Sequence, residues 1–320
     1  MIESKIIQQL MESNSIAIVS HENPDGDCVG SMLALYLALK RKGKNARMFL
    51  KSNVPKNLRF LPAAENIEVV DRIDVKFDVL VLLDTGELER TGIENIENCY
   101  SKLINIDHHV TSEGMGDLFY INSSSAATGE IIYQIVKLMG IDNDKEIATC
   151  LYTSIFTDTG GFKYSNTTSI THQIAGDLIN TGIDFVYIIN KVFDEMSLSK
   201  FNLLKDVLQT LELFEGNKIA FLTVTREILK RNGASRDETE NIINFAKNIE
   251  DVEVAAIFIE EEEENKIKVS LRSKYYIDCA QVAKEFGGGG HIRAAGFTSR
   301  NASLDAVKEN LLRRLKRDLR

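Results

Sequence analysis

The sequence of 320 residues has four cysteines, no long apolar run and fewer cations than anions, and each of these features argues against a class of protein. No stretch of about 18 apolar residues is present, which predicts that no helix crosses a membrane. The N-terminus, MIESKIIQQLMESNSIAIVS, lacks the basic region and apolar core of a signal peptide. We therefore expect a cytoplasmic protein with no membrane partner. The cysteines stand far apart with no CxxC spacing, which favours buried free thiols over disulfides or a zinc site: Cys28, Cys99, Cys150 and Cys279.

Anionic residues outnumber cationic ones, with 47 Asp and Glu against 38 Lys and Arg and a formal net charge of −9. We therefore do not expect the protein to bind long nucleic acid over a broad surface, since that binding depends on many cations facing phosphates. Small anionic substrates remain open if metal ions and a few local cations supply positive charge. The length exceeds that of most single cores and predicts two domains.

The first half of the sequence alternates short apolar runs with helical patterns. Residues 15–20 (SIAIVS), 77–83 (FDVLVLL) and 102–106 (KLINI) are typical of buried strands, and a helix is expected over 28–42. This alternation predicts an α/β fold with a parallel sheet and helices packed on both of its faces. Ligands of such sheets bind beyond the carboxyl ends of the strands.

The second half predicts a smaller α/β domain behind a connecting helix. The pattern of residues 184 to 215 is helical throughout, so the expected division is 1–185, a connecting helix at 186–215, and 216–320. Strands are expected at 218–225, VEVAAIFIE and KIKVSLRS, with residues 260–264 as a solvated turn between the last two. Helices are expected near 237–247 and 278–286. The basic C-terminal segment, KENLLRRLKRDLR, is interpreted as a solvated closing helix, with nucleic-acid contact as the alternative.

Acidic and imidazole side chains cluster where the predicted strands end. Burying such groups at a strand end is costly unless a cation or another partner compensates them. Each piece alone has an ordinary structural explanation, such as an Asp-Gly-Asp turn. Together they predict a site for Mn²⁺, with Mg²⁺ less favoured and zinc open. The residues are His21, Asp25 and Asp27 after the first strand, Asp84 after the second, Asp107, His108 and His109 after the third, and Asp158 after a helical segment.

The order and spacing of these residues resemble one known pattern. HENPDGDCVGS, VLLDTGELER, INIDHHVTSEG and FTDTGGF are similar to the four motifs of the DHH phosphoesterase family, which includes RecJ-type exonucleases and polyphosphatases. The tail, LRSKYYIDCAQVAKEFGGGGHIRAAGF, resembles the DHH-associated domain. The resemblance covers nearly the whole chain, and its compact length is similar to the nanoRNase and pAp-phosphatase branch.

The resemblance implies a role for each residue of the first half. Two divalent metal ions would be bound, one by His21 and Asp25, the other by Asp27, His108 and Asp158, with Asp84 bridging both. His109 would face the substrate, and Asp107 would orient a histidine. Arg90 would contact either the substrate or a structural ion-pair partner.

The glycine-rich tail implies a substrate clamp in the second domain. Consecutive glycines are costly in backbone entropy unless a special conformation or a close ligand approach requires them. Their N–H groups suit a phosphate, and an arginine can donate a bidentate pair of hydrogen bonds to a terminal phosphate. In the related proteins this region binds the nucleotide end opposite the scissile bond, which limits substrate length. The residues expected to contact substrate here are Arg272, Gly288, Gly289, Gly290 and His291.

The resemblance therefore implies a metal-dependent hydrolase for RNA of roughly two to five nucleotides, with 3′-phosphatase activity on pAp. The alternative is a phosphodiesterase for cyclic di-AMP or for linear dinucleotides such as pApA and pGpG. Polyphosphatase or pyrophosphatase activity is less expected, because those relatives lack the glycine-rich loop. A rival of another class is a nucleotide-binding protein without catalysis. A homodimer is left open.

Overall fold

The computed structural model describes residues 2–261 and 266–319, which divide after Glu195 into two compact units. The first unit carries a six-stranded sheet in which every strand pairing is parallel. Its strands are β1 Ile16–Val19, β2 Ala46–Leu50, β3 Ile67–Val69, β4 Phe77–Leu83, β5 Tyr100–Asp107 and β6 Leu118–Ile121. Its α-helices are α1 Ile2–Glu12, α2 Gly26–Arg41, α3 Thr128–Leu138, α4 Lys145–Asp158, α5 Ser169–Asn180 and α6 Phe185–Ile189.

The strand order in this sheet is β3-β2-β1-β4-β5-β6. The strands after β1 are added first on one side of it and, from β4 on, on the other side, so the strand order reverses between β1 and β4. This is the point at which doubly wound sheets form a crevice for ligands. β1 and β4 are almost wholly apolar, as expected of strands buried on both faces. The expected parallel sheet is confirmed, and β4 has the predicted bounds.

The two faces of the first sheet are covered differently. The larger core joins one face to the α-helices, with buried residues such as Ile18 and Val81 against Leu33 and Ile131. The opposite face packs its own core, which includes Leu80 and Leu82, against loops and two 3₁₀ helices, Leu88–Thr91 and Ile96–Asn98. The helices expected on the second face are therefore short 3₁₀ turns in the described chain.

The second unit has a mixed six-stranded sheet with helices on both faces. The strands are β7 Glu212–Phe214, β8 Ile219–Val224, β9 Val254–Glu260, β10 Lys266–Ser273, β11 Gly289–His291 and β12 Ala294–Arg300. The helices are α7 Leu198–Leu208, α8 Arg226–Asn232, α9 Ile243–Lys247, α10 Cys279–Glu285 and α11 Leu304–Lys316. The strand order is β11-β12-β10-β9-β8-β7, with α10 and α11 on one face of the sheet and α7, α8 and α9 on the other.

The expected continuous connecting helix over 186–215 is wrong. A π-helical turn, Asn190–Asp194, follows α6, and Glu195 then takes an extended conformation with φ −76° and ψ 131°. Ser197 starts a new helix because its hydroxyl accepts a hydrogen bond from the Lys200 N–H, as a good N-cap does. The segment ends in a strand, β7, that pairs with β8. A capping serine and strand pairing therefore override the helical periodicity.

The cysteines are all free and buried, which confirms that expectation. Over the described residues, no helix has the length and hydropathy required to cross a membrane. Most of the turn expected at 260–264 lies outside the described residues, but β9 and β10 on either side of it do pair antiparallel.

Candidate active site

The predicted functional side chains of the first unit meet at one edge of its sheet. β1, β4 and β5 are neighbours and run in the same direction, so their carboxyl ends lie side by side. His21 follows the end of β1, Asp84 comes directly after β4, and Asp107 is the last residue of β5. Charged and polar groups separated by more than 20 residues along the chain are thereby collected into one place.

Asp84 lies at the centre of the cluster and presents its two carboxylate oxygens to different histidines. Oδ2 is 3.4 Å from Nε2 of His21, and Oδ1 is 3.7 Å from Nε2 of His108. The residue is buried and has a left-handed backbone, with φ 57°. Residues other than glycine are strained in this conformation, and asparagine and aspartate are strained least. Such an orientation lets one carboxylate bridge two cations.

The first group of donors combines His21 and Asp25 with Asp84, and its ligand atoms all lie within 4.8 Å of one another. Asp25 caps α2 by accepting a hydrogen bond from the Cys28 N–H at 3.0 Å through Oδ1. Its other oxygen lies 4.0 Å from Nε2 of His21. Capping thus fixes the carboxylate while one oxygen remains directed at the histidine.

The second group combines Asp27, His108 and Asp158. Nε2 of His108 is 3.7 Å from Oδ2 of Asp27 and 3.6 Å from Oδ2 of Asp158. The other ring nitrogen, Nδ1, lies 3.3 Å from the carbonyl oxygen of Ser125. If Nδ1 donates to that carbonyl, the neutral ring keeps a lone pair on Nε2 for a metal, which is the usual arrangement of a metal-binding histidine.

Hydroxyl and amide donors that the sequence prediction missed hold these carboxylates in place. Asp27 accepts hydrogen bonds from the Ser154 hydroxyl at 2.5 Å, the Ser31 hydroxyl at 3.0 Å and the Thr128 N–H at 2.7 Å. The Thr128 hydroxyl also donates to Oδ1 of Asp84 at 2.9 Å. Asn166 donates to Oδ2 of Asp158 at 3.4 Å. Thr128, at the start of α3, therefore contacts both Asp84 and Asp27.

Two glycines allow the helices behind the site to approach one another closely. A Cβ on Gly26 would lie 2.3 Å from the Thr157 hydroxyl oxygen, and one on Gly129 would lie 1.9 Å from that of Ser154. Only glycine therefore lets α2 and α3 pack against α4 at these points. The glycine of the DGD motif thus has a packing role that is separate from turn formation.

The electrostatics of the cluster favour a bound cation. Burial, followed by repulsion from Asp27 and Asp25, raises the pKa of Asp84 well above its ordinary range. Burial and Asp27 raise the pKa of Asp158 to about 7. The pKa of His21 is lowered, chiefly by burial. Buried carboxylates that repel one another are stabilised by a positive ion, and a mixed imidazole and carboxylate set suits Mn²⁺ or Zn²⁺ better than Mg²⁺. The residues present therefore fit two divalent metal ions.

His109 and Arg90 line a surface cavity of about 300 Å³ beside the first group. Nδ1 of His109 is 2.7 Å from Oδ1 of Asp107, and this bond raises the pKa of the histidine. Within the described chain, the Arg90 guanidinium makes no ion pair or side-chain hydrogen bond. Arg90 therefore does not form the structural ion pair that was one of its two expected roles, at least with any residue that the structure describes. Glu22 and Asn23, which the prediction did not single out, complete the lining with His21 and Asp25.

The predicted clamp residues lie in the second unit, on β10 and on β11 with Gly288 just before it, and β12 separates these two strands. Arg272 of β10 is paired with Ala294 of β12, which in turn is paired with His291 of β11. Directly paired residues point to the same face, so the arginine and the histidine share a face about 10 Å apart. Ala294 and, in the next row, Gly289 and Gly296 provide only small groups between them. The result is a row of small residues between the arginine and the histidine, which we call the glycine groove.

The three glycines of the predicted clamp do not have the same constraints. A Cβ on Gly288 would lie 2.2 Å from the carbonyl oxygen of Gly296. Gly290 has φ 139°, and its Cβ would lie 2.6 Å from the carbonyl oxygen of Ala294. Gly289 has neither constraint, and its Cβ would meet nothing within 4 Å. Folding alone therefore explains two of these glycines but not Gly289.

Comparison with known proteins identifies both halves of the chain. The model of the DHH family N-terminal domain matches residues 15–155, and that of the DHHA1 domain matches residues 216–319. The chain is 34% identical over 305 residues to a Thermus thermophilus protein named bifunctional oligoribonuclease and PAP phosphatase NrnA, with 95% of this chain and 90% of the relative covered. This chain belongs to the DHH family.

Other relatives extend this DHH-family match at lower identity. A Bacillus subtilis protein of the same name is 26% identical, with 92% of each chain covered. Among solved structures, an exopolyphosphatase-related protein from Bacteroides fragilis superposes with a TM-score of 0.90 at 29% identity, covering 98% of this chain and 96% of the other. The predicted fold class and family are confirmed.

Proposed function

We propose that this DHH-family protein hydrolyses RNA of two to five nucleotides to nucleoside 5′-monophosphates and removes the 3′-phosphate of pAp. The observation that carries the proposal is Asp84, whose two oxygens face separate groups of His and Asp ligands at the end of a parallel sheet. The substrate class comes from the relatives, two of which are named bifunctional oligoribonuclease and PAP phosphatase. Both reactions break a bond between phosphorus and a 3′ oxygen, so one site can serve both.

The metal ligands would be His21 and Asp25 for one ion, Asp27, His108 and Asp158 for the other, and Asp84 for both. Two divalent cations, with Mn²⁺ favoured, would polarise the phosphoryl oxygens and lower the pKa of a water molecule. Thr128 and Ser154 fix the carboxylates through the hydrogen bonds described above. These supporting residues keep the ligands in place, as outer groups do in other metal sites.

His109 and Arg90 would act on the substrate directly. With Nδ1 bonded to Asp107, His109 keeps Nε2 for the substrate, and the same bond raises the pKa of the ring and so stabilises its protonated form. It can therefore donate a hydrogen bond to the phosphate or a proton to the departing 3′ oxygen. The Arg90 guanidinium, which forms no ion pair or side-chain hydrogen bond among the described residues, would contact a substrate phosphate.

The glycine groove of the second unit would bind a nucleotide through its terminal phosphate. Arg272 would pair with a terminal phosphate, His291 would donate a hydrogen bond, and Gly289 would let the ligand approach the backbone. The observation that supports this assignment is that internal packing does not account for Gly289. A chain with net charge −9 offers few cations to follow a long RNA, which also favours short substrates.

Three rival functions remain: hydrolysis of dinucleotides, hydrolysis of polyphosphate, and nucleotide binding without catalysis. Cyclic dinucleotides lack the terminal phosphate that Arg272 would bind, whereas pApA carries it, so linear dinucleotides are the favoured alternative. Polyphosphate hydrolysis is a rival because the Bacteroides relative is named as related to exopolyphosphatase. A nucleotide-binding protein without catalysis would bind these compounds and leave them intact.

The experiment is product analysis with labelled RNAs of two to ten nucleotides, pAp, pApA, pGpG, cyclic di-AMP and polyphosphate, each in Mn²⁺ and in Mg²⁺. We expect 5′-monophosphates from the shortest RNAs, AMP and phosphate from pAp, and slower turnover of cyclic di-AMP and polyphosphate. Faster turnover of either of the last two than of the dinucleotides would contradict the proposal. So would the absence of hydrolysis with both metals.

A further inference from the structure

α11 ends in a cluster of arginines that the proposed catalytic function does not use. With the end of α10, this helix lines a surface pocket of about 260 Å³. The lining residues are Glu285, Phe286, Asn310, Arg313, Arg314 and Arg317. We call this the arginine pocket. The glycine groove lies on the opposite face of the same sheet, because α10 and α11 pack against the side of β10 that carries Val269 and Leu271, while Arg272 points the other way.

The arginines of the pocket differ in whether carboxylates neutralise them. Arg314 is buried and paired with Glu285 and Asp318, both at 2.7 Å. Arg313 and Arg317 are exposed, one helical turn apart, and no ion pair or side-chain hydrogen bond is found for either within residues 2–261 and 266–319. Like charges at this spacing repel each other. Two unneutralised guanidinium groups thus remain beside a third that is fixed in position.

A solvated helix end accounts for only part of this arrangement. Cations near a helix C-terminus do interact favourably with the helix dipole. Another cation of the same turn, Lys316, is neutralised by Glu215 at 2.6 Å, as is usual on an acidic protein. The dipole does not explain why Arg313 and Arg317 stay unpaired around a concave surface in a chain with net charge −9. An anion held between them would supply the missing charge.

The other lining groups indicate what else such an anion carries. Asn310 lies three residues before Arg313, on the same side of α11, and offers an amide donor and acceptor. Phe286 is half-buried, and its ring is stacked on Phe297 with centroids 4.6 Å apart. A fixed aromatic ring beside two arginines suits a base or a ribose that is joined to a phosphate. The pocket is too small for an extended RNA strand.

We propose that the arginine pocket is a second phosphate site, which binds the phosphate monoester of a small nucleotide without a metal ion. Arg313 and Arg317 would bind the phosphate oxygens, and Asn310 and Phe286 would contact the nucleoside. The site uses no residue of the metal centre or of the glycine groove, so its occupancy does not depend on hydrolysis.

The test is nuclear magnetic resonance of the ¹⁵N-labelled full-length protein in EDTA. The arginine Nε–Hε signals are assigned with R313Q and R317Q, and AMP, inorganic phosphate and adenosine are titrated separately. We expect AMP and phosphate to shift the Arg313, Arg317 and Asn310 side-chain signals in a saturable way, and adenosine to leave them unchanged. Tighter binding of AMP than of phosphate would show that the nucleoside also makes contact.

The matched comparison is the double variant R313Q/R317Q against K268Q/R300Q, which removes the same charge from exposed positions of the second unit. The Asn310 signal should report AMP affinity at least about tenfold weaker in the first variant and within about twofold of wild type in the second. Equal weakening in both would overturn the proposal in favour of general charge attraction. Unmoved arginine signals would overturn it as well, as would shifts with a ten-nucleotide RNA but not with AMP.

Discussion

The two units of this DHH-family chain place functional residues on their sheets in different ways. In the first unit the sheet is parallel, and its donors stand beyond the strand ends, on loops and helix termini. In the second unit the sheet is mixed, and the candidate ligand residues lie within strands, on a face left open by small side chains. The first arrangement concentrates charge at a point, while the second offers a surface to an extended ligand.

This difference changes what a substitution can reveal. His21, Asp27 and Asp84 are the buried donors of the first unit, so removing one of them disturbs a charge balance. In the second unit, Arg272, Gly289 and His291 are exposed or half-buried and can be changed with little effect on folding. Variants of the first unit should therefore alter turnover and metal affinity, and variants of the second should alter substrate affinity.

The largest effect is expected from Asp84→Asn. This change keeps the side-chain shape and tolerates the left-handed backbone, but it removes the charge that would join two cations. We expect kcat to fall by roughly a thousandfold or more for every substrate, on the order of 4 kcal/mol in the barrier. Rates of pAp and dinucleotide hydrolysis measure it. Asp74→Asn, at an exposed site, is the control; activity in D84N near that of this control would refute the assignment.

A smaller effect is expected from Ser154→Ala, which removes the hydroxyl donor at 2.5 Å from Asp27. Loss of such a supporting bond typically weakens metal affinity by about 10–100-fold. Activity should therefore require more Mn²⁺ but recover at saturation, as a metal titration of the rate would show. Ser124→Ala, in an exposed turn, should leave the titration unchanged. A lower maximal rate at unchanged metal affinity would contradict the positioning role.

Gly289→Ala tests the second unit. Its added methyl group has free space in the fold but would occupy the glycine groove, so we expect KM to rise about tenfold with kcat nearly unchanged. Gly176→Ala is the matched control, because its Cβ also meets nothing within 4 Å and its backbone conformation is ordinary. If KM is the same in both variants, the ligand does not contact Gly289. The expectation that variants of the second unit alter substrate affinity would then be wrong.

The smallest expected effect concerns the pH dependence of stability without metal. Asp158 has a folded pKa of about 7 against an ordinary value of 3.8, so between these values the folded state binds more protons than the unfolded state. Stability in EDTA should therefore fall as pH rises through this window. Thermal unfolding of wild type and Asp158→Asn measures it: the variant should lose part of the fall. Identical profiles would show that this carboxylate is not strained in the metal-free protein.

Much of the first unit could be predicted from the sequence, because strands buried on both faces are apolar runs with sharp ends. Asp84 and His108 were found since charge directly after such a run is unusual. Thr128 and Ser154 were missed, because hydroxyl residues are common at helix starts and within helices and no local pattern marks their partner. Only the fold brings Asp27 within reach of residues more than 100 positions away.

In the second unit the sequence indicated the right residues but left their constraints unresolved. The run GGGGH could not show that Gly288 and Gly290 are required by packing while Gly289 is not. The break around Ser197 was also missed, because the apolar spacing on either side of it suits a helix. The pairing of Arg314 with Glu285, and the lack of such partners for Arg313 and Arg317 in the described chain, depend on tertiary contacts.

The central claim is that Asp84 joins two cation sites in the first unit. The most direct measurement is electron paramagnetic resonance of the metal-stripped protein with one and then two equivalents of Mn²⁺. We expect two ions to bind per chain and the second to produce an exchange-coupled spectrum, which D84N lacks. Binding of a single ion, or of two ions without coupling in the unmodified protein, would contradict it.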